Sequence, residues 1–122
     1  MLGRVPIIAF VATTDAERAR AFYSEMLGLE FVADEPYALI FSANGTRVRI
    51  AKVEQFEPFP FTVLGWQVSD IGATVLALTE KGLEFVRYGF LEQDSLGVWS
   101  SGNAKVAWFK DPDGNVLSLT EF

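Results

Sequence analysis

The chain has 122 residues, a length that suits one domain and not two full-sized ones. Half of the residues are hydrophobic and 21% are charged, with 11 Phe, 3 Trp and 3 Tyr, so a packed core is expected and intrinsic disorder is excluded. The net charge of −6 argues against a nucleic-acid partner, which would call for a basic face.

Two residue types are missing altogether: Cys and His. Without Cys there is no disulfide, thiolate zinc site or cysteine nucleophile. Without His there is no imidazole metal ligand and no His-based catalytic triad. Oxygen ligands and unusual acid–base groups are what remain.

Residues 1–12, MLGRVPIIAFVA, carry one basic residue and a short apolar run broken by Pro6. A buried strand explains them better than a secretion signal does. No stretch reaches the about 20 apolar residues of a membrane span, so neither a membrane nor a nucleic acid is an expected partner and the cytoplasm is the expected location.

In chain order, Val5 to Thr13 reads as a strand, rich in β-branched and aromatic residues. Thr14-Asp15-Ala16-Glu17 fits a capping box with Thr14 at the N-cap. Ala19, Phe22, Tyr23, Met26 and Leu27 then fall on one helical stripe, and Gly28 is the stop. Leu29 to Asp34, Tyr37 to Ser42 and Thr46 to Val53 read as strands, the last two joined by the hairpin dipeptide Asn44-Gly45. Glu54 to Pro60, with Pro58 and Pro60, reads as a connector.

The pattern then restarts. Phe61 to Ser69 is an expected strand, Asp70 to Lys81 a helix with Ile71, Val75 and Leu78 on one face, and Leu83 to Arg87 a strand. Residues 88–104, rich in Gly, Ser and acidic groups, read as a long, partly ordered loop. Lys105 to Lys110 and Val116 to Glu121 form a last hairpin around Asp111-Pro112-Asp113-Gly114-Asn115. Gly28-Leu29-Glu30-Phe31 recurs as Gly82-Leu83-Glu84-Phe85, an offset of 54, after a helix that opens in each case just after Thr or Ser plus Asp (Thr14-Asp15, Ser69-Asp70). The chain is therefore expected to be an α+β duplication within one domain, 1–122. Two βαβββ modules, 1–57 and 61–122, would form one curved mixed sheet cleft with the helices on its outer face.

These features together resemble the vicinal oxygen chelate superfamily, which includes glyoxalase I, bleomycin-resistance proteins and extradiol dioxygenases. The resemblance rests on Asp15 through Gly28, with Ala21-Phe22-Tyr23 and Leu27-Gly28, and on Asp111-Pro112-Asp113-Gly114-Asn115, at opposite ends of the repeat. Family enzymes bind a divalent metal through four side chains of the concave sheet face. Carried over position by position, those places fall on Ile8, Arg49, Val63 and Ser118. Two apolar groups, a cation and one neutral hydroxyl cannot chelate a divalent ion. No metal, no cofactor and no catalytic residue is therefore expected in the family's site.

Strand alternation gives that cleft its lining. Ile8, Phe10, Ile40, Val63 and Trp108 supply apolar wall, Arg49, Gln67 and Ser118 polar points, and Trp99 a further aromatic face. Such a mixture suits a small-molecule pocket, and it equally suits a cleft filled by its own side chains. Arg49 can meet a ligand or cover a solvated strand face. The 88–104 loop, with Tyr88, Phe90, Glu92 and Asp94, can be a lid or simply solvated.

Three functions follow as alternatives. The first is a metal-independent binder of an apolar or aromatic small molecule, as the bleomycin-resistance branch implies, with antibiotic resistance as its biological setting. The second is a metal-free lyase, isomerase or dioxygenase-related enzyme using non-His acid–base groups. The third is a relative that acts through protein contacts. The family resemblance also implies a homodimer, and Phe56, Phe59 and Phe61 crowd the connector where a partner surface would lie.

Overall fold

The computed structural model describes all of residues 1–122. It separates into two compact units, Met1–Glu57 and Pro58–Phe122. Each is a βαβββ module, so the duplicated α+β architecture is as the repeat implies. The eight strands hydrogen-bond as two sheets of four rather than as one continuous ladder.

In the first unit, a short 3-10 turn at Leu2–Arg4 precedes β1 (Ile8–Thr13). Helix α1 (Ala16–Ala21) passes directly into a π-helical turn at Phe22–Met26. Then come β2 (Glu30–Asp34), β3 (Ala38–Ala43) and β4 (Thr46–Lys52), and the sheet order is β1-β4-β3-β2. β1 runs parallel to β4; the other pairs are antiparallel. Asn44, at φ 48°, and Gly45, at φ 84°, make the two-residue hairpin loop.

The cap of α1 is Asp15, not Thr14: its Oδ1 accepts from the Arg18 N–H. Thr13 explains the displacement, because its hydroxyl accepts from the Asp15 N–H and fixes the entry turn one residue later. The π turn takes the place of the last turn of the expected helix. Its wide ring, with Leu27 N–H donating to Phe22 C=O, still buries Tyr23 completely. Tyr23 and Phe31 both pack on Phe41, with ring centroids 6.1 and 5.5 Å apart. Val48 and Ile50 close this core from β4, while Arg20 stacks over the outer face of Phe31 at 3.8 Å.

In the second unit, β5 (Thr62–Gln67) leads into α2 (Ile71–Glu80), capped by Asp70 through the Ala73 N–H. Ile71 and Val75 are the buried face of α2. The Ile71 N–H donates to Glu121 Oε1 at 2.9 Å, which ties the helix start to the last strand. β6 (Trp99–Ser101), β7 (Ala104–Lys110) and β8 (Val116–Glu121) complete the sheet in the order β5-β8-β7-β6. Phe109, Leu117 and Leu119 face the core, and Trp66 stacks on Phe109 at 6.2 Å.

The second strand of this unit departs from the sequence expectation. Leu83 to Arg87 makes an isolated bridge, Phe85 to Phe109, and no strand. The Val86 carbonyl is taken by the Gln93 side chain, so the ladder cannot extend there. The pairing position beside β7 is filled instead by Trp99–Ser101, from within the stretch expected to be loop. No helix is long and apolar enough to cross a membrane.

Candidate functional site

In the first unit, alternation along β1 sets Val11 and Thr13 into the core and leaves Ile8 and Phe10 on the opposite face. That face is open: Ile8 is 51% and Phe10 60% exposed. Register places Phe10, Arg49 and Ile40 side by side across β1, β4 and β3, with Ile8 one row away opposite Arg47. Ile40 is buried and offers almost no surface. The Arg49 guanidinium lies 3.5 Å from Glu35 Oε1. An exposed pair of that kind contributes at most about 1 kcal/mol. It does, however, give the cation a partner inside its own module.

In the second unit, Gly65, Ser118 and Trp108 form one cross-strand row, and Gln67, Thr120, Val106 and Trp99 the next. Ser118 is buried. Val63 falls where the β5–β8 register shifts between Thr62 and Leu64, so simple alternation does not assign its face. Trp108 is the hub. The Trp99 ring lies 6.0 Å from it, and Tyr88 meets it edge to face at 5.4 Å. Phe90, 82% exposed, continues the group at 5.6 Å from Tyr88. Four aromatic rings thus make one contiguous platform, with spacings suited to stacking and edge contacts.

Beside it lies a cavity of about 560 Å³ lined by Leu91, Glu92, Gln93, Asp94, Val98, Trp99 and Ser100. Trp99 is therefore shared between the platform and this recess. Tyr88, Phe90 and Gln93 lie off the strands, where alternation assigns no face. The one sequence signal for them was the concentration of aromatic and polar groups in an otherwise Gly- and Ser-rich segment.

That segment is ordered by its own bonds. Asp94 Oδ1 accepts from the Leu96 and Val98 N–H groups and closes a tight turn. Gly97 takes a φ of 92° there, with its Cα so near Phe85 that an added Cβ would stand 3.3 Å from the Phe85 Cβ.

The donor set does not suit a divalent metal. Ile8, Arg49, Val63 and Ser118, the side chains expected from the resemblance at the ion's place, offer one neutral hydroxyl as donor, and no three His, Cys, Asp or Glu residues cluster anywhere in the chain. The carboxylate of Glu121, the nearest acidic candidate on β8, is engaged at the start of α2.

Comparison with known proteins agrees with this architecture. A candidate glyoxalase-family protein from Bacillus anthracis superposes with a TM-score of 0.77 at 20% identity, covering 97% of this chain and 94% of that one. TnmS3, an antibiotic-binding protein from a Streptomyces species, gives 0.72 at 24% identity over 97% of both chains. A lactoylglutathione lyase from Agrobacterium tumefaciens gives 0.64 at 15% identity, covering 97% and 93%. At such identities the likeness shows the fold alone. No curated protein matches the sequence. The model of the Glyoxalase/Bleomycin resistance protein/Dioxygenase superfamily matches residues 5–119, and the chain belongs to that family.

Proposed function

We propose that the protein binds a planar, apolar or aromatic small molecule without turnover and without a metal. The observation that carries this reading is the platform of Tyr88, Phe90, Trp99 and Trp108 on the second unit. Aromatic faces bind planar ligands by stacking, and the flanking recess gives room for a substituent. The net charge of −6 favours a ligand that carries positive charge. The antibiotic-binding relative uses the same fold for ligand capture, which makes an antibiotic-like aromatic compound a reasonable ligand class. On the same unit Val63, Gln67 and Ser118 are proposed as further contributors, Ser118 through shape more than contact surface; on the first unit Ile8, Phe10, Ile40 and Arg49 are proposed as ligand contacts of that unit's open face, Ile40 again through shape.

The working form is proposed to be a homodimer. Phe59 and Phe61 stack at 5.1 Å with rings 15° from parallel, and both are more than half exposed. Such a pair on a proline-flanked segment suits burial against a second copy.

The binding reading is tested by tryptophan fluorescence with acridine orange, a planar cation, and anthraquinone sulfonate, a planar anion. Saturable quenching by acridine orange is expected, with Trp108→Ala weakening it about tenfold, a change of about 1.4 kcal/mol. Absence of saturable quenching by both dyes refutes the reading.

A further inference from the structure

We infer that Gln93 is the positioning residue of the aromatic platform: it fastens the 86–98 loop in the shape that sets Tyr88 against Trp108. Its functional meaning rests on the platform being the binding surface; its geometry does not.

The Gln93 carboxamide uses both ends. Its Oε1 accepts from the Tyr88 N–H at 2.7 Å, while its Nε2 donates to the Val86 carbonyl at 2.9 Å and the Gly97 carbonyl at 2.8 Å. Val86 and Gly97 are the two ends of the loop, so one side chain closes it. Its own backbone also bridges Trp99. Gln93 therefore touches the main chain next to two of the platform's rings, and Tyr88 in turn reaches a third, Trp108.

Other bonds in the loop do different work. Asp94 closes the turn at 94–98, and the Arg87 guanidinium donates to the Ser95 carbonyl at 2.8 Å. Neither reaches Tyr88, whose carbonyl accepts from the Leu91 N–H at 3.1 Å, a bond local to the 88–91 turn. Without Gln93, the segment carrying Tyr88 and Phe90 keeps its local turn and the Val86 N–H bond to the Trp108 carbonyl but loses its tie to the far end of the loop, and the rings must be ordered when a ligand arrives. Ordering at that moment costs affinity.

Only a group with an acceptor and two donors reproduces this pattern, and among side chains of this length glutamine supplies it. Glutamate keeps one bond of the three and turns an anionic oxygen toward two carbonyls. Protonating that carboxyl restores one donor.

The test compares Gln93→Ala and Gln93→Glu with the unmodified protein. The readouts are far-UV and near-UV circular dichroism and acridine orange affinity. The expected result is unchanged far-UV signal, loss of about half or more of the tryptophan near-UV signal, and about tenfold weaker dye binding. Gln93→Glu should be the more impaired at neutral pH and regain part of its near-UV signal near pH 5 (about the upper edge of carboxylate titration), whereas Gln93→Ala should not. Folded variants with an unaltered near-UV spectrum overturn the inference. Should the variants not fold, amide exchange of the unmodified protein decides: slow exchange at the Tyr88 N–H supports the tether and free exchange overturns it. A near-UV change in a protein that binds neither dye supports the positioning role while removing the binding reading.

Discussion

Gly65 and Ser118 face each other across the β5–β8 ladder, and a β-carbon on Gly65 would stand 2.9 Å from the Ser118 hydroxyl oxygen and 3.3 Å from its carbonyl. The close approach leaves the row beside Trp108 without a side chain at its edge strand. Gly65→Ala should therefore destabilise the protein by about 1–2 kcal/mol through overpacking. Ser118→Ala removes the nearer clashing atom. In a double-mutant cycle the two changes should couple by about 0.5 kcal/mol or more, read from urea midpoints. Strict additivity would mean that the hydroxyl simply rotates away.

Asp111 organises the last hairpin. Its buried carboxylate accepts from the Asp113 and Asn115 N–H groups at 2.9 and 3.0 Å, and from Asn115 Nδ2 at 2.8 Å. Asp111→Ala removes the acceptor of three hydrogen bonds, two of them from the buried Asn115, and should cost about 2–4 kcal/mol. Asp111→Asn should cost less, since one oxygen can still accept from the backbone. Thermal unfolding of the two variants checks the order, and equal losses would contradict it.

Chelation should change nothing. The side chains expected at the family's metal positions, Ile8, Arg49, Val63 and Ser118, would supply one neutral hydroxyl, a cation and two hydrocarbons. Treatment with excess EDTA is expected to leave the melting temperature and dye affinity as they were. A metal found in stoichiometric amount by elemental analysis, whose removal lowers either quantity and whose return restores it, would refute the metal-free reading.

The exposed Phe59–Phe61 stack should lie in the dimer interface. Light scattering at micromolar concentration is expected to give a dimer mass, and Phe59→Ser with Phe61→Ser a monomer of unchanged far-UV spectrum. A monomeric mass for the unmodified chain would dispose of the dimer.

Much of the fold was legible because local chemistry and hydrophobic period agree. Asp70 opens the second helix, Gly28 and Gly82 take positive φ after the two helices, and Asn44-Gly45 joins two strands whose alternation is regular. Where the reading failed, a side chain had claimed the backbone. Thr13 moved the cap to Asp15, and Gln93 captured the Val86 carbonyl so that Phe85 could not begin a strand. Periodicity carries no trace of either. In the site, the two hairpin turns already put Arg49 opposite Ile40 and Trp108 opposite Ser118, as the register has them, whereas Phe10 beside Arg49 comes from the parallel β1–β4 pairing. Burial of Ile40 was invisible to alternation, which assigns a face but not how much of it is covered. Tyr88 and Phe90 could be named only as members of a loop, lid or solvated, and not placed against Trp108, because loop conformation depends on bonds between residues that no sequence period relates.

The parallel pairing of β1 with β4, and of β5 with β8, carries a kinetic consequence. Each first strand meets its partner only after the helix and the two intervening strands of the same module have been traversed, whereas β3–β4 and β7–β8 close over short turns. Long-range contacts form late because chain entropy opposes them. Nucleation should thus begin in the two C-terminal hairpins of the modules, with β1 and β5 adding last. In stopped-flow refolding, Val48→Ala on β4 should slow folding, and Val11→Ala on β1 should chiefly speed unfolding. The reverse assignment would place the rate-limiting step in the parallel edge, and a transiently unpaired β1, with Ile8 and Phe10 on its open face, would then be absent from the folding route rather than its most aggregation-prone moment.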